Sequence, residues 1–214
     1  MGDEMIKKYS NIKSIILPNK KVNILAILVL FLGVIAGAIF SGIIGMNDRL
    51  LVIDKIKTFT DNINGNTIDS LLALKNSLSI NLIYVFLIWI LGMAFLGIIF
   101  NIFILFVKGF VFGFSIAAFI LTYSYKGIVM SILYLLFGQL LNIIVILVLT
   151  IYSIMFSWQL LQMIFKDNNG IHIKRFLKNY LIILIFAVFV SIISSISEAF
   201  LLPALIKLII KLFI

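Results

Sequence analysis

INLIYVFLIWILGMAFLGIIFNIFILFVKGFVFGFSIAAFILT, residues 80–122, carries one charged side chain, Lys108, in 43 positions. A bilayer core of about 30 Å is crossed by roughly 20 apolar residues in a helix. The run is therefore too long for one crossing and the right length for two, folded back to back. Two positions can mark the fold-back. A turn at Asn101 leaves Lys108 semi-buried near the start of a third span, where its ammonium can snorkel to the interface. A turn at Lys108 leaves a short third helix of about 14 residues, re-entrant in character. The sequence supports both.

The composition agrees with a membrane protein. Of 214 residues, 64% are apolar and 12% charged, and 20 are phenylalanine. Soluble domains carry about 25% charged residues. Cysteine is absent and histidine occurs once, at His172, so disulfides, thiolate chemistry and a histidine metal centre are excluded. The net charge of +9 comes from 17 basic and 8 acidic residues. In a membrane chain such an excess reads as topology and contact with anionic lipid headgroups, not as nucleic-acid binding.

Outward from the central run, residues 1–22 form a basic tail with a break at Pro18–Asn19. Residues 23–46 form a first span that also resembles an uncleaved signal-anchor. Gly33, Ala36 and Gly37, continued by Ser41 and Gly45, give it a small-residue face that lets a second backbone approach, either within the bundle or from a second copy. Residues 47–79 are polar, with four charges of each sign, and read as two short amphipathic helices around a turn at 62–66. Asn101 is the expected turn between the second and third spans, and Tyr123–Gly127 the next. Residues 128–151 form a fourth span that contains Gly138, Gln139 and Asn142, whose amides must face other helices. Residues 166–180 form a second basic segment, residues 181–200 a fifth span, and residues 203–214 an amphipathic interfacial tail with Lys207 and Lys211 on one face.

The expected fold is all-α: one polytopic integral membrane domain, 1–214, of about five transmembrane helices plus short amphipathic interfacial helices. With the amino terminus inside, the cytoplasmic segments hold ten basic residues and the opposite side seven. Basic residues in short loops favour the cytoplasm, which places 1–22 and 166–180 inside and 47–79 outside.

No HExxH, nucleophile elbow or phosphate loop occurs, and no cofactor is expected. Glu198 is the one acidic residue in an apolar span and the first functional candidate by physical cost. Its plain role is a carboxylate paired with Lys108 or, better placed by topology, Lys126. Lys108, Gln139, Asn142 and Glu198 together could instead line a path through a small transporter or channel. The amphipathic segments alone would suit a membrane-shaping protein.

Three blocks carry a family resemblance: FLGVIAGAIF (31–40), WILGMAFLGIIFNIFILFVKGFVFGFSIAAFI (89–120) and SSISEAFLLPAL (194–205). In that order they resemble the stage II sporulation protein M family. The family's lysine–glycine pair opening a glycine-spaced helix corresponds to Lys108–Gly109 with Gly113, and its terminal glutamate before proline to Glu198 and Pro203. Phe137–Gly138–Gln139 followed by Asn142 departs from the family's fourth span, where proline is common. The resemblance implies a non-enzymatic scaffold in the mother-cell septal and engulfing membrane. Its partners would be stage II sporulation proteins D and P, which cut peptidoglycan, together with membrane lipids.

Overall fold

The computed structural model describes residues 20–65, 67–94, 96–166 and 173–213. The amino-terminal basic tail up to residue 19, and the expected turn at 168–170 with His172, lie outside them. The described residues are helical almost throughout: α1 (Lys20–Ile43), α2 (Met46–Asn64), α3 (Ser70–Gly92), α4 (Gly97–Tyr123), α5 (Tyr125–Leu133), a π-turn (Tyr134–Gln139), α6 (Leu140–Lys166), α7 (Ile173–Ile196), a second π-turn (Ser197–Leu201) and α8 (Leu202–Phe213). Five helical stretches are long and apolar enough to cross a membrane: α1, α3, α4, the continuous rod 125–165, and the rod 176–211.

Several boundaries differ from the sequence reading. The fold-back of the central run falls between Gly92, which ends α3, and Gly97, which starts α4, not at Asn101 or Lys108. Met93 and Ala94 donate back to Ile90 and Leu91 carbonyls at 3.0 Å each. Gly92 and Gly97 flank the turn because a side chain at either would strike Ser153, Tyr180 or the Leu91 carbonyl. The third span is therefore a full 27-residue helix and not re-entrant. Lys108 sits near its middle, 7% exposed, so it does not snorkel. The second amphipathic helix expected over 67–79 is instead the start of α3. Asp69 caps that helix, accepting from Leu71 and Leu72 N–H at 2.9 and 3.2 Å, as an N-cap carboxylate does. The tail expected at the interface continues the last rod as α8, packing Leu202, Ile206 and Ile210 against Ile63, Phe119 and Met130.

The expected turn at 123–127 is present. Ser124 adopts φ 52°, ψ −124° there, a conformation that favours glycine, and Gly127 closes on the Phe119 carbonyl.

The bundle is seamed by α1 against α4. A Cβ on Gly33 or Gly37 would collide with the carbonyls of Phe106 or Phe110, and one on Gly109 or Gly113 with those of Leu30 or Val34. The pairs run in the same direction, so the two helices are parallel and each inserts its glycines over the other's backbone. Lipid gives no hydrophobic drive between apolar helices, so close backbone packing of this kind supplies the attraction. Phe40 flanks the seam, 5.5 Å from the Phe110 ring and 6.3 Å from Phe114. The small-residue faces are thus occupied within one chain.

Candidate functional site

The polar residues of the spans gather in two buried clusters. The upper one, toward the α2 end, is built on the two π-turns. Glu198 sits on the second; its Oε1 accepts from Gln139 Nε2 at 2.8 Å, and Gln139 ends the first. Ser77 of α3 donates to Oε2 at 2.5 Å. Ser197 Oγ donates to the Phe137 carbonyl at 2.5 Å, cross-linking the same two turns. A π-turn shifts the helical register by one residue and is frequent at functional sites. Pro203 gives the second a local cause: it lacks an N–H and crowds the carbonyl four residues back, and the widened turn lies immediately before it. Gly138 lies against the Tyr134 ring and Leu202, which fits the first π-turn to the start of α8.

One turn deeper, Asn81 joins three helices. Its Nδ2 donates to Ser195 Oγ at 2.9 Å and to Ser77 Oγ at 3.3 Å, while its Oδ1 accepts from Asn142 Nδ2. Ser195 Oγ donates to the Ser191 carbonyl at 2.9 Å. Amides inside hydrocarbon are tolerable only when bonded across helices in this way.

Lys108 lies against α3: its Nζ is 4.9 Å from the centre of the Tyr84 ring, a cation–π distance. Lys126, the partner expected for Glu198 from topology, lies at the α2 end beside Thr60, Asp61 and Asn64. Of the residues grouped from the sequence, Gln139 and Glu198 meet directly and Asn142 reaches them through Asn81 and Ser77, whereas Lys108 lies on the Tyr84 ring. The cluster adds Ser77, Asn81, Tyr84 and Ser195, which sequence reasoning missed. Ser77 and Asn81 stand four apart on one face of α3, a signal hidden by ending a short amphipathic helix at residue 79 and starting the span at residue 80. Gly33, Gly37, Gly109 and Gly113 belong to the α1–α4 seam instead.

The lower cluster surrounds the turn between α3 and α4. Asn101, the expected turn marker, is buried and donates to Ser153 Oγ. Ser153 donates to the Ile88 carbonyl at 3.0 Å, and Ser157 to the carbonyls of Gly92 and Ala94 at 2.7 and 3.0 Å. Tyr180 donates to the Trp89 carbonyl at 3.0 Å and stacks on Phe156 at 4.9 Å.

Between the clusters every helix turns apolar. Val85 and Ile88 separate Asn81 from Gly92; Leu105 separates Lys108 from Asn101; Ile146 and Leu149 separate Asn142 from Ser153; and Ala187 separates Ser191 from Tyr180. The first five of these apolar side chains are fully buried, and Ala187 is nearly so. Thr150 adds one buried hydroxyl at the rim of this layer. An apolar layer of this kind divides the polar groups into two sets. Among the described residues no group of His, Asp and Glu could hold a metal ion.

Residues 26–203 match the family described as Stage II sporulation protein M. No curated protein and no solved structure matches the chain.

Proposed function

We propose that this chain, which belongs to the stage II sporulation protein M family, is a non-enzymatic multi-pass membrane protein of sporulation and engulfment that anchors cell-wall peptidoglycan hydrolases in the engulfing septal membrane. By the family resemblance, those hydrolases are stage II sporulation proteins D and P. Hydrolysis belongs to the partners, and this chain supplies a fixed address in the membrane.

The observation that carries this reading is α2. It is not one of the five spans, yet it is tied to the bundle by Thr60 and Ile63, which are buried beside Phe119, Ile206 and Ile210. It leaves Leu50, Leu51 and Phe59 exposed among charged side chains. An amphipathic helix held rigidly at one end of a membrane bundle is a platform for a partner. The basic residues of 1–22 and 166–180 support placing the opposite end in the cytoplasm, so the platform faces the cell wall. The apolar layer between the two polar clusters weighs against a transporter. The buried polar network is then the fastening of a rigid scaffold rather than a path.

Replacing residues 46–64 with a Gly/Ser linker tests the role. The two polar clusters of the five-span core lie elsewhere, so the variant should still unfold cooperatively, at a lower temperature because Ile63 no longer covers Ile206 and Ile210. Recovery of the two hydrolases on purification from sporulating membranes should fall to background. Undiminished recovery from a folded variant removes α2 from the account.

A further inference from the structure

A groove of about 330 Å³ runs between α2 and α4. Leu51, Val52 and Ile56 form one wall, and Phe114, Ala118 and Phe119 the other. The volume falls at the lower end of the range for small-molecule sites, roughly 300–1,000 Å³. The α4 wall belongs to the last three turns of a membrane-spanning helix, so the floor lies at acyl-chain depth. The α2 wall belongs to the amphipathic helix above it, at headgroup depth.

The one charged residue lining the groove is Lys55. It is exposed, and among the described residues no hydrogen bond or ion pair engages it. The acidic residues of α2 nearest to it are Asp54, Asp61 and Asp48, Asp61 lying six residues on, about 9 Å along the axis and roughly 120° around the helix. Asp54 is rotated about 100° away around the helix, and Asp48 lies two turns back, roughly 10 Å along the axis. An apolar slot at acyl depth with a lone ammonium on its headgroup-level rim matches an amphiphile with a hydrocarbon tail and an anionic head. Water would leave the apolar walls unsatisfied.

We propose that this groove is a binding site for an anionic glycerophospholipid, one acyl chain lying between α2 and α4 and the headgroup phosphate at Lys55. The lipid would then fill the space beneath α2 and fix the height of that helix above the bilayer.

The test uses the full chain, stripped of native lipid in detergent and offered phosphatidylglycerol or phosphatidylcholine of identical chains, with retained lipid read by native mass spectrometry. Phosphatidylglycerol should be held in preference. Lys55→Gln should weaken that retention about fivefold, the size of one lysine–anionic-lipid interaction near a surface. Lys57→Gln, on another face of α2, should leave it unchanged. Val52→Trp should displace both lipids by filling the slot. Equal retention of the two lipids by the unaltered protein overturns the proposal. So does retention indifferent to Lys55→Gln. A dimer mass that Val52→Trp abolishes would also overturn it, since a second copy would then be the occupant.

Discussion

Gln139 donates its side-chain N–H to the Glu198 carboxylate at 2.8 Å, and each residue stands on a π-turn of a long membrane rod. The two register shifts meet at one depth, and the bond between them is supplemented by Ser197 reaching the Phe137 carbonyl. A carboxylate placed there by chance would be costly; here it gathers α3, the 125–165 rod and the 176–211 rod around one anion.

Removing that anion should be felt as lost stability. Glu198→Ala strands the Ser77 hydroxyl and the Gln139 amide, each a lost hydrogen bond to a charged group, and should cost about 2–4 kcal/mol in all. Glu198→Gln keeps the shape and can keep the contacts with Ser77 and Gln139, so it should cost about 1–2 kcal/mol. Thermal unfolding in detergent measures both. If the alanine variant melts with the unaltered protein, the cluster is not a fastening.

Lys108 and Glu198 should be coupled. Lys108→Met alone removes the cation and Glu198→Gln alone the carboxylate, whereas the double variant removes both charges together. The double variant should be more stable than the sum of the single losses predicts, by about 1 kcal/mol or more. Strict additivity would mean that the two charges do not interact.

The α1–α4 seam predicts a sharp contrast between glycines in one helix. Gly37→Ala drives a methyl into the Phe110 carbonyl, while a Cβ at Gly42 meets nothing within 4 Å. The first substitution should cost about 1–3 kcal/mol, as overpacking does. The second should be neutral or slightly stabilising, because alanine is the better helix former. Equal effects would show that α1 and α4 do not approach as closely as described.

Ser124 holds φ 52° at the α4–α5 turn, where a side chain is strained and glycine is not. Ser124→Gly should raise stability by about 1 kcal/mol, read as an upward shift of the thermal transition. A loss would mean that the serine hydroxyl contributes more than the backbone strain costs.

Much of this architecture is legible in the chain. Long apolar runs punctuated by charge mark the five spans, and three of the residues that would be costly in lipid, Gln139, Asn142 and Glu198, share one hydrogen-bond network. The fold-back between Gly92 and Gly97 was not legible, because a turn packed against Tyr180 and Ser153 needs small residues rather than polar ones. Asn101 misled for the complementary reason: within lipid an asparagine ties helices together, here to Ser153, as readily as it marks a loop. Ser77 and Asn81 escaped notice because their neighbours look like surface. The π-turns left only indirect traces, in Pro203 and Gly138.

A platform for cell-wall hydrolases requires α2 to stand outside the cell membrane while the opposite end of the bundle stands inside. The chain contains no cysteine, so single cysteines introduced at Lys55 and Lys178 report sidedness without interference. In intact cells a membrane-impermeant maleimide should label Lys55→Cys and spare Lys178→Cys until the membrane is opened. Labelling of both from outside, or protection of Lys55→Cys, would contradict the account and take the hydrolase platform away from this face of the protein.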